Sequence, residues 1–425
     1  MSGARHAAGW LVAVAWLASG CDGCKAEPPH EERAAAERGE PGGGEGTGKG
    51  TGKGKGKGTV IAIDTHVDTP QRMLDDGDDL AERLPGGHLD LPRMREGGLT
   101  GAFFSIWVNP RRYEGEDAWD RALALIGAVR EMADKHPDEA DLCTDAEEVR
   151  RAAGRDRAAV LMGVEGGHAL GTDDPELALE RLRELYERGV RYMTITWSTD
   201  NPLGRSSTGG APEKGLTDLG RRVVREMNEL GMIADVSHVS DATFEDIMDV
   251  TAKPVIASHS SARALSDHPR NMTDAMIRRV AEGGGAVCIN YYSQYIDVDY
   301  RDRRRAVERE HPERFAAISE EHEGWIARGA AAAELAREID PELDPPTLQT
   351  LGEHFAHVAE VTGPQAVCLG SDYDGVPELP VGMEDASDLP ALREELERRG
   401  LPIEPIFGGN VLRVLEAQES RARGG

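Results

Sequence analysis

The chain has 425 residues, 39% of them apolar, which is enough for one large domain or two ordinary ones with a sizeable core and excludes disorder as the default. Its formal charge of −28, from 49 basic and 77 acidic residues, excludes a protein that tracks nucleic-acid phosphates with a basic surface. The acidity favours solubility and names no partner.

In chain order, the first twenty residues read as an export signal. Arg5 precedes "GWLVAVAWLAS", Gly9 to Ser19, too short for a bilayer span of about 20 residues but suited to the apolar region of a signal peptide. Ala18, Ser19 and Gly20 lead directly to Cys21 and resemble a bacterial lipobox, with Leu17 one place earlier than the usual aliphatic position. That resemblance implies cleavage after residue 20 and a lipidated Cys21 that anchors the protein to a membrane, facing the periplasm or the cell exterior. An ordinary cleaved signal and an uncleaved anchor are the competing readings.

Residues 21–58 run into "EPGGGEGTGKGTGKGKGKG", with no apolar periodicity. Such a segment cannot form a core and is expected to act as a flexible Gly/Lys-rich tether. A solvated spacer is the plainer reading, and contact of its lysines with anionic lipid or wall polymer is the alternative.

From 59 to 425 a different pattern begins. Eight short apolar or β-branched runs recur: "TVIAID" (59–64), "TGAFFSIWV" (100–108), "AAVLMGVE" (158–165), "RYMTITW" (191–197), "MIADVSH" (232–238), "PVIASH" (254–259), "GAVCINYY" (285–292) and "AVCLGSD" (366–372). Between them lie amphipathic stretches such as "DPELALERLRELYERG" and "DLGRRVVREMNELG", with acidic or Ser/Thr/Asp starts and glycine stops. Eight buried-type strands alternating with helices predict an α/β fold, a (β/α)8 TIM barrel. The charged, helix-prone segment at about 299–340 interrupts the alternation after the seventh run and reads as a helical insertion, a lid or contact surface if it is more than a solvated helix pair. Cys288 and Cys368 sit inside apolar runs, where a free cysteine is ordinarily a small core residue, and no disulfide framework is evident.

In such a barrel the active site lies at the C-terminal ends of the strands. There the sequence places His66 and Asp68 after the first run, Glu165 at the end of the third, His238 after the fifth, His259 after the sixth and Asp372 after the eighth. Singly, each has a bland alternative: a hydrogen-bonded structural histidine, or a buried salt-bridge partner. Jointly, three histidines and two carboxylates suit zinc, with one carboxylate bridging two ions. Gly166 and Gly167 are expected to let the backbone approach the metals, and Asp64, Asn271 and Asp374 to orient the ligands.

"DTHVDTP", "GVEGGHAL", "RYMTITWSTDNP", "PVIASHSSARALSDHPRNMTD", "INYYSQYI" and "LGSDYDGVPELPVGMEDAS" follow one another as blocks that resemble the membrane (renal) dipeptidase family of metal-dependent amidohydrolases, over about 60–415. The resemblance implies a binuclear site with two zinc ions per chain, one held by His66, Asp68 and Glu165, the other by Glu165, His238 and His259. It further implies that a hydroxide bridging the metals attacks the peptide bond of a free dipeptide, with D-residue dipeptides among the candidate substrates. Glu165 then bridges, Asp372 is the catalytic aspartate, Arg270 in "HPRN" grips the substrate carboxylate, and Tyr295 lines that end of the pocket. Animal members carry a histidine where this sequence has Trp197, which bears on the carbonyl-oxygen contact and on substrate choice. By analogy with the family a homodimer is expected. Hydrolysis of another amide, a lactam or an N-acyl amino acid is the alternative activity, and a non-enzymatic peptide-capturing lipoprotein is the alternative of another class.

Overall fold

The computed structural model describes residues 60–322 and 325–419. The expected signal peptide, Cys21 and tether lie outside the described residues. Among the described residues no helix is long and apolar enough to cross a membrane.

Nine parallel strands appear among the described residues: β1 (Ile63–Val67), β2 (Gly101–Trp107), β3 (Ala140–Leu142), β4 (Ala158–Glu165), β5 (Val190–Thr194), β6 (Ile233–Asp235), β7 (Ile256–Ala257), β8 (Ala286–Ile289) and β9 (Val367–Leu369). Eight of them close a barrel in the order β1-β2-β4-β5-β6-β7-β8-β9, sealed where Asp64 of β1 pairs with Leu369 of β9. These are the eight runs read from the sequence, and helices surround them, as a (β/α)8 barrel requires.

β3 is an addition the sequence reading did not contain. It pairs with the first half of β4, Ala140 opposite Ala158, and β5 takes over the same edge from Met162 onward. Three residues carry too little periodicity to announce a strand.

In and around the barrel, apolar side chains fill two regions. Ile63, Phe103, Leu161, Tyr192, Ile233 and Ile256 point into the barrel and pack against Val411, Leu412 and Leu415 of the C-terminal helix, Asn410–Glu419. That helix stands at the entrance end of the strands, where Arg413 donates to the carbonyls of Gly284 and Gly285, just ahead of β8. The larger cluster, with Val160, Met162, Val223, Ile277, Val358 and Leu392 among its members, lies between strands and helices. Residues on both faces of each strand are therefore buried, which is why the strands read as continuous apolar runs.

Cys288 and Cys368 are not free core cysteines. They are direct partners in the β8–β9 register, both belong to the barrel-interior cluster, and they form a disulfide. Their Cα atoms are 4.1 Å apart although 80 residues separate them in sequence. Cys143 is free and buried.

After β8 come the helices Val298–Glu310, Pro312–Glu321 and Trp325–Ile339. They share a small apolar core of Tyr300, Val307, Phe315, Ile318, Ala336 and Leu343. Buried Glu378, in the segment after β9, receives the Tyr300 hydroxyl and lies 3.7 Å from both the Arg304 and Arg337 guanidinium groups. The insertion is thus pinned to a segment that begins a few residues beyond Asp372. Peptide mapping of the unreduced protein is expected to recover Cys288 and Cys368 in one cross-linked pair and Cys143 as a free thiol; two separate thiols at 288 and 368 would refute the pairing.

Candidate metal centre

Each ligand-type side chain stands where a strand runs out at its C-terminal end. β1 carries an irregularity between Asp64 and Val67: Asp64 pairs with Ala102 and Val67 with Phe104, so β1 spends one residue more than β2 there. Such a bulge re-aims the side chains within it, and here that residue is His66. Glu165 is the last residue of β4. His238 and Asp372 both hold left-handed backbone, φ 66° in each, a conformation uncommon for non-glycine residues and frequent where side chains are held for function. Surrounding bonds fix both turns: Ser207 donates to the His238 carbonyl at 2.8 Å, and the Asp372 amide donates to the His66 carbonyl at 3.1 Å.

The side chains converge. Glu165 Oε1 lies 2.9 Å from His238 Nε2 and 3.5 Å from His259 Nε2, while its Oε2 lies 3.6 Å from His66 Nε2. His66 Nε2 is also 3.6 Å from Asp68 Oδ2. Donor atoms of His66, Glu165 and His259 all fall within 4.8 Å of one another, and so do those of His66, Asp68 and Asp372. All six residues are buried. The structure therefore brings together every residue expected of the binuclear set and places Asp372 beside Asp68 and His66.

The chemistry of this donor set fits metal cations. Three buried carboxylates crowd together, and burial, reinforced by the neighbouring Asp68 charge, raises the pKa of both Glu165 and Asp372. A cation reverses that logic by favouring the ionised forms. Burial, with the His66 and Arg270 charges nearby, pushes His238 and His259 well below the usual histidine range, so both rings stay neutral and keep a lone pair for coordination. Their Nε2 atoms face each other at 2.9 Å. His66 Nε2 and Asp68 Oδ1 are buried without a hydrogen-bond partner, a costly state unless something else is bound there. Gly375 keeps this space open, since a Cβ at that position would lie 2.0 Å from Asp68 Oδ2 and 2.4 Å from Asp372 Oδ1.

A surrounding set of bonds orients the rings, and most of it was not foreseen. His66 Nδ1 is 2.7 Å from the Tyr192 hydroxyl, and His259 Nδ1 is 2.7 Å from the Ser258 hydroxyl. Asn290 donates to Asp372 Oδ2 at 2.9 Å. Asp235 accepts from the amides of Ser237 and Ser258 and from the hydroxyls of Thr194 and Ser258, tying β5, β6 and the end of β7 together below the histidines. Asp64 does the same between β1 and β9, accepting from the amides of His66 and Ser371, with burial pushing its carboxyl up to about 6. Asp235 and Asn290 could have been suspected, because polar residues at the ends of apolar strands were already the signal. Asn271 and Asp374 stand further out: Asn271 donates to the Ser266 and Tyr295 carbonyls, and Asp374 accepts from the Thr69 hydroxyl and the His88 amide. The room at Gly166 and Gly167 serves His168 and Leu203, whose side chains are the nearest neighbours a Cβ there would meet.

Arg270 is buried at the edge of the cluster. Its guanidinium donates to Ser260 Oγ at 3.3 Å and to the His259 carbonyl at 3.1 Å, and its Nε has no partner among the described residues. It stands 5.4 Å from the Tyr295 ring centroid, and His268 packs on the same tyrosine with centroids 4.6 Å apart. Trp197, just beyond β5, borders the cluster with its ring 6.4 Å from that of His238.

Known proteins resemble the chain over nearly all of the described residues. A family model described as membrane dipeptidase (peptidase family M19) matches residues 57–424. An uncharacterized dipeptidase of Schizosaccharomyces pombe is 32% identical over 378 residues, covering 84% of this chain and 80% of the relative. Among solved structures, dipeptidase AC, a metallopeptidase of family M19, is 28% identical with a TM-score of 0.67, covering 85% of this chain and 99% of that one. A metallopeptidase from Rhodobacter sphaeroides, liganded with a phosphinate mimic of the dipeptide L-Ala-D-Ala, is 26% identical with a TM-score of 0.68 over the same shares.

Asp235→Ala would leave the amides of Ser237 and Ser258 buried without acceptors, each unmet bond costing about 1–3 kcal/mol. Urea unfolding is expected to show a loss of roughly 2–4 kcal/mol together with reduced metal retention; wild-type stability would remove Asp235 as the tie beneath the site.

Proposed function

Since this chain belongs to the membrane dipeptidase family, peptidase family M19, and is a metallo-dipeptidase by that membership, we propose that it hydrolyses free dipeptides at a two-zinc site made of His66, Asp68, Glu165, His238 and His259. The observation that carries this reading is Glu165, whose two carboxylate oxygens face different histidines: Oε1 faces His238 and His259, Oε2 faces His66. One carboxylate opening to both sides suits a bridge between two ions. Zinc at such a site supplies hydroxide at neutral pH and polarises a carbonyl.

The chain's own residues do the rest. Asp372, held by Asn290 and beside Asp68 and His66, is placed to take a proton from the attacking water and return it to the leaving amine. Arg270 offers a planar fork of donors, which suits the two oxygens of a terminal carboxylate, and Tyr295 lines the same end. With Asp372 also meeting the free amine and Arg270 the free carboxylate, the pocket measures length, so dipeptides are its substrates. The Rhodobacter sphaeroides relative's L-Ala-D-Ala mimic supports acceptance of a D-residue at the carboxyl-terminal position. Trp197, where a histidine stands in animal members, favours a second reading: the same chemistry on another amide, a lactam or an N-acyl amino acid.

Zinc content and hydrolysis of L,L and L,D dipeptides, N-blocked analogues and C-terminal amides separate the readings. About two zinc per chain, chelator-sensitive cleavage confined to free dipeptides, and a KM raised about tenfold or more by Arg270→Lys are the expected results. Full zinc occupancy with cleavage of N-blocked substrates alone would select the second reading. The export reading adds that Cys21 is lipidated and membrane-anchored; labelled palmitate should enter the wild type and not Cys21→Ser, and equal labelling of both would end that assignment.

A further inference from the structure

Two strand ends that supply none of the proposed metal ligands carry indoles instead. Trp107 closes β2, and Trp197 follows β5 by three residues. Their ring centroids are 5.1 Å apart with planes inclined by 57°, a tilted aromatic contact within the favourable range. Trp107 is the direct register partner of Glu165, and Trp197 approaches the His238 ring. The pair therefore borders the ligand cluster. Gly166 makes the approach feasible: a Cβ there would lie 3.3 Å from Trp197 Cβ and closer still to His168. Both tryptophans are half-buried, and the Trp107 indole N–H is buried without an acceptor among the described residues, where such groups ordinarily have a partner.

Barrel order sets which part of a substrate meets this pair. β2 lies four places from β7 around the eight-stranded ring, hence across the barrel from it. The segment after β7 carries Arg270, with its guanidinium on the His259 carbonyl. β5 likewise lies across from β9, whose end leads to Asp372. A dipeptide with its carboxylate on Arg270 and its scissile bond over the ligand cluster extends from the β7 side toward the β2 side. If its amine turns to Asp372, the side chain of that same residue turns away from β9, toward β5 and β2.

We propose that Trp107 and Trp197 form the wall that receives the side chain of the dipeptide's amino-terminal residue and select an apolar, preferably aromatic, side chain there. Flat indoles gain from apolar and aromatic contact. An acidic side chain in that place would give up its hydration against the apolar indole faces, and glycine would leave the wall uncovered. This specificity assignment rests on the dipeptidase reading above, and Trp107 had no role in the sequence reading.

The test is steady-state kinetics of the zinc-loaded full-length chain on Phe-Ala, Leu-Ala, Gly-Ala and Glu-Ala. The wild type is expected to favour Phe-Ala and Leu-Ala over Gly-Ala by about tenfold or more in kcat/KM, with Glu-Ala poorest, a range that side-chain contacts in a pocket ordinarily supply. Trp107→Ala should cut the Phe-Ala to Gly-Ala ratio by about fivefold or more, and Trp107→Phe should keep most of it. Gly-Ala turnover by the same preparations reports fold and metal loading, and Trp107→Phe carries the comparison if Trp107→Ala does not fold. An unchanged ratio in Trp107→Ala, a ratio lost equally in Trp107→Phe, or a wild type indifferent to the amino-terminal side chain overturns the inference while leaving the dipeptidase reading intact. No cleavage of any free dipeptide by the wild type overturns both.

Discussion

The Glu165 carboxylate is the constraint around which this molecule is arranged. It is buried at the end of barrel strand β4 with Asp68 and Asp372 for neighbours, and burying ionised carboxylates together is prohibitive without compensating charge. Neighbouring Arg270 is turned toward Ser260 and the His259 carbonyl, and the His238 and His259 rings are held neutral, with lone pairs to offer. Cations suit such a cluster, and a closed barrel is what brings it together: strands β1, β4, β6 and β7 each deliver a proposed ligand to one rim although His66 and His259 are 193 positions apart in sequence. The fold's stability and the site's charge problem are in this sense separate. The barrel is held by apolar layers, and the polar rim is imposed on it.

That imposition needs rigid support, which the rim receives from a layer of bonds just beneath it. Asp64 and Asp235 play equivalent parts about half a barrel apart, each accepting two or more bonds from the ends of neighbouring strands. Tyr192 and Ser258 hold the far nitrogens of His66 and His259, which fixes the ring orientation and leaves both Nε2 atoms facing Glu165. A strand of only two residues, β7, would be a poor platform for His259 without Asp235 and Ser237 holding the backbone that follows it.

What was legible in the sequence and what was not divide along a physical line. The strands were legible because both of their faces are buried, and the candidate site residues were legible because they break those apolar runs abruptly at one end. His66, Asp68, Glu165, His238, His259 and Asp372 needed only that positional rule to be placed on one rim. Register was not legible. The Cys288–Cys368 disulfide depends on which residue of β8 stands beside which residue of β9, and apolar patterning does not carry that information. The same holds for Tyr192, which reads as one more aromatic in a buried strand until the barrel places its hydroxyl on His66. β3 escaped because three residues have no period to detect.

Trp197 shows how the two kinds of information combine. The sequence marks it as a departure, an indole where animal members of the family carry an imidazole, and on that basis alone the change is a missing hydrogen-bonding group. The structure adds Trp107, which no motif points to, and turns an isolated departure into half of an aromatic pair. Strands whose ends hold ligands are tied by the metal chemistry, because altering them dismantles the centre. The ends of β2 and β5 supply no ligand, so they can be fitted to a substrate side chain at little cost to the centre. On the proposed reading, a change from histidine to tryptophan at such a position exchanges a polar contact at the reacting carbonyl for apolar surface beside it, and so shifts what the site discriminates without disturbing the residues proposed to hold the metals.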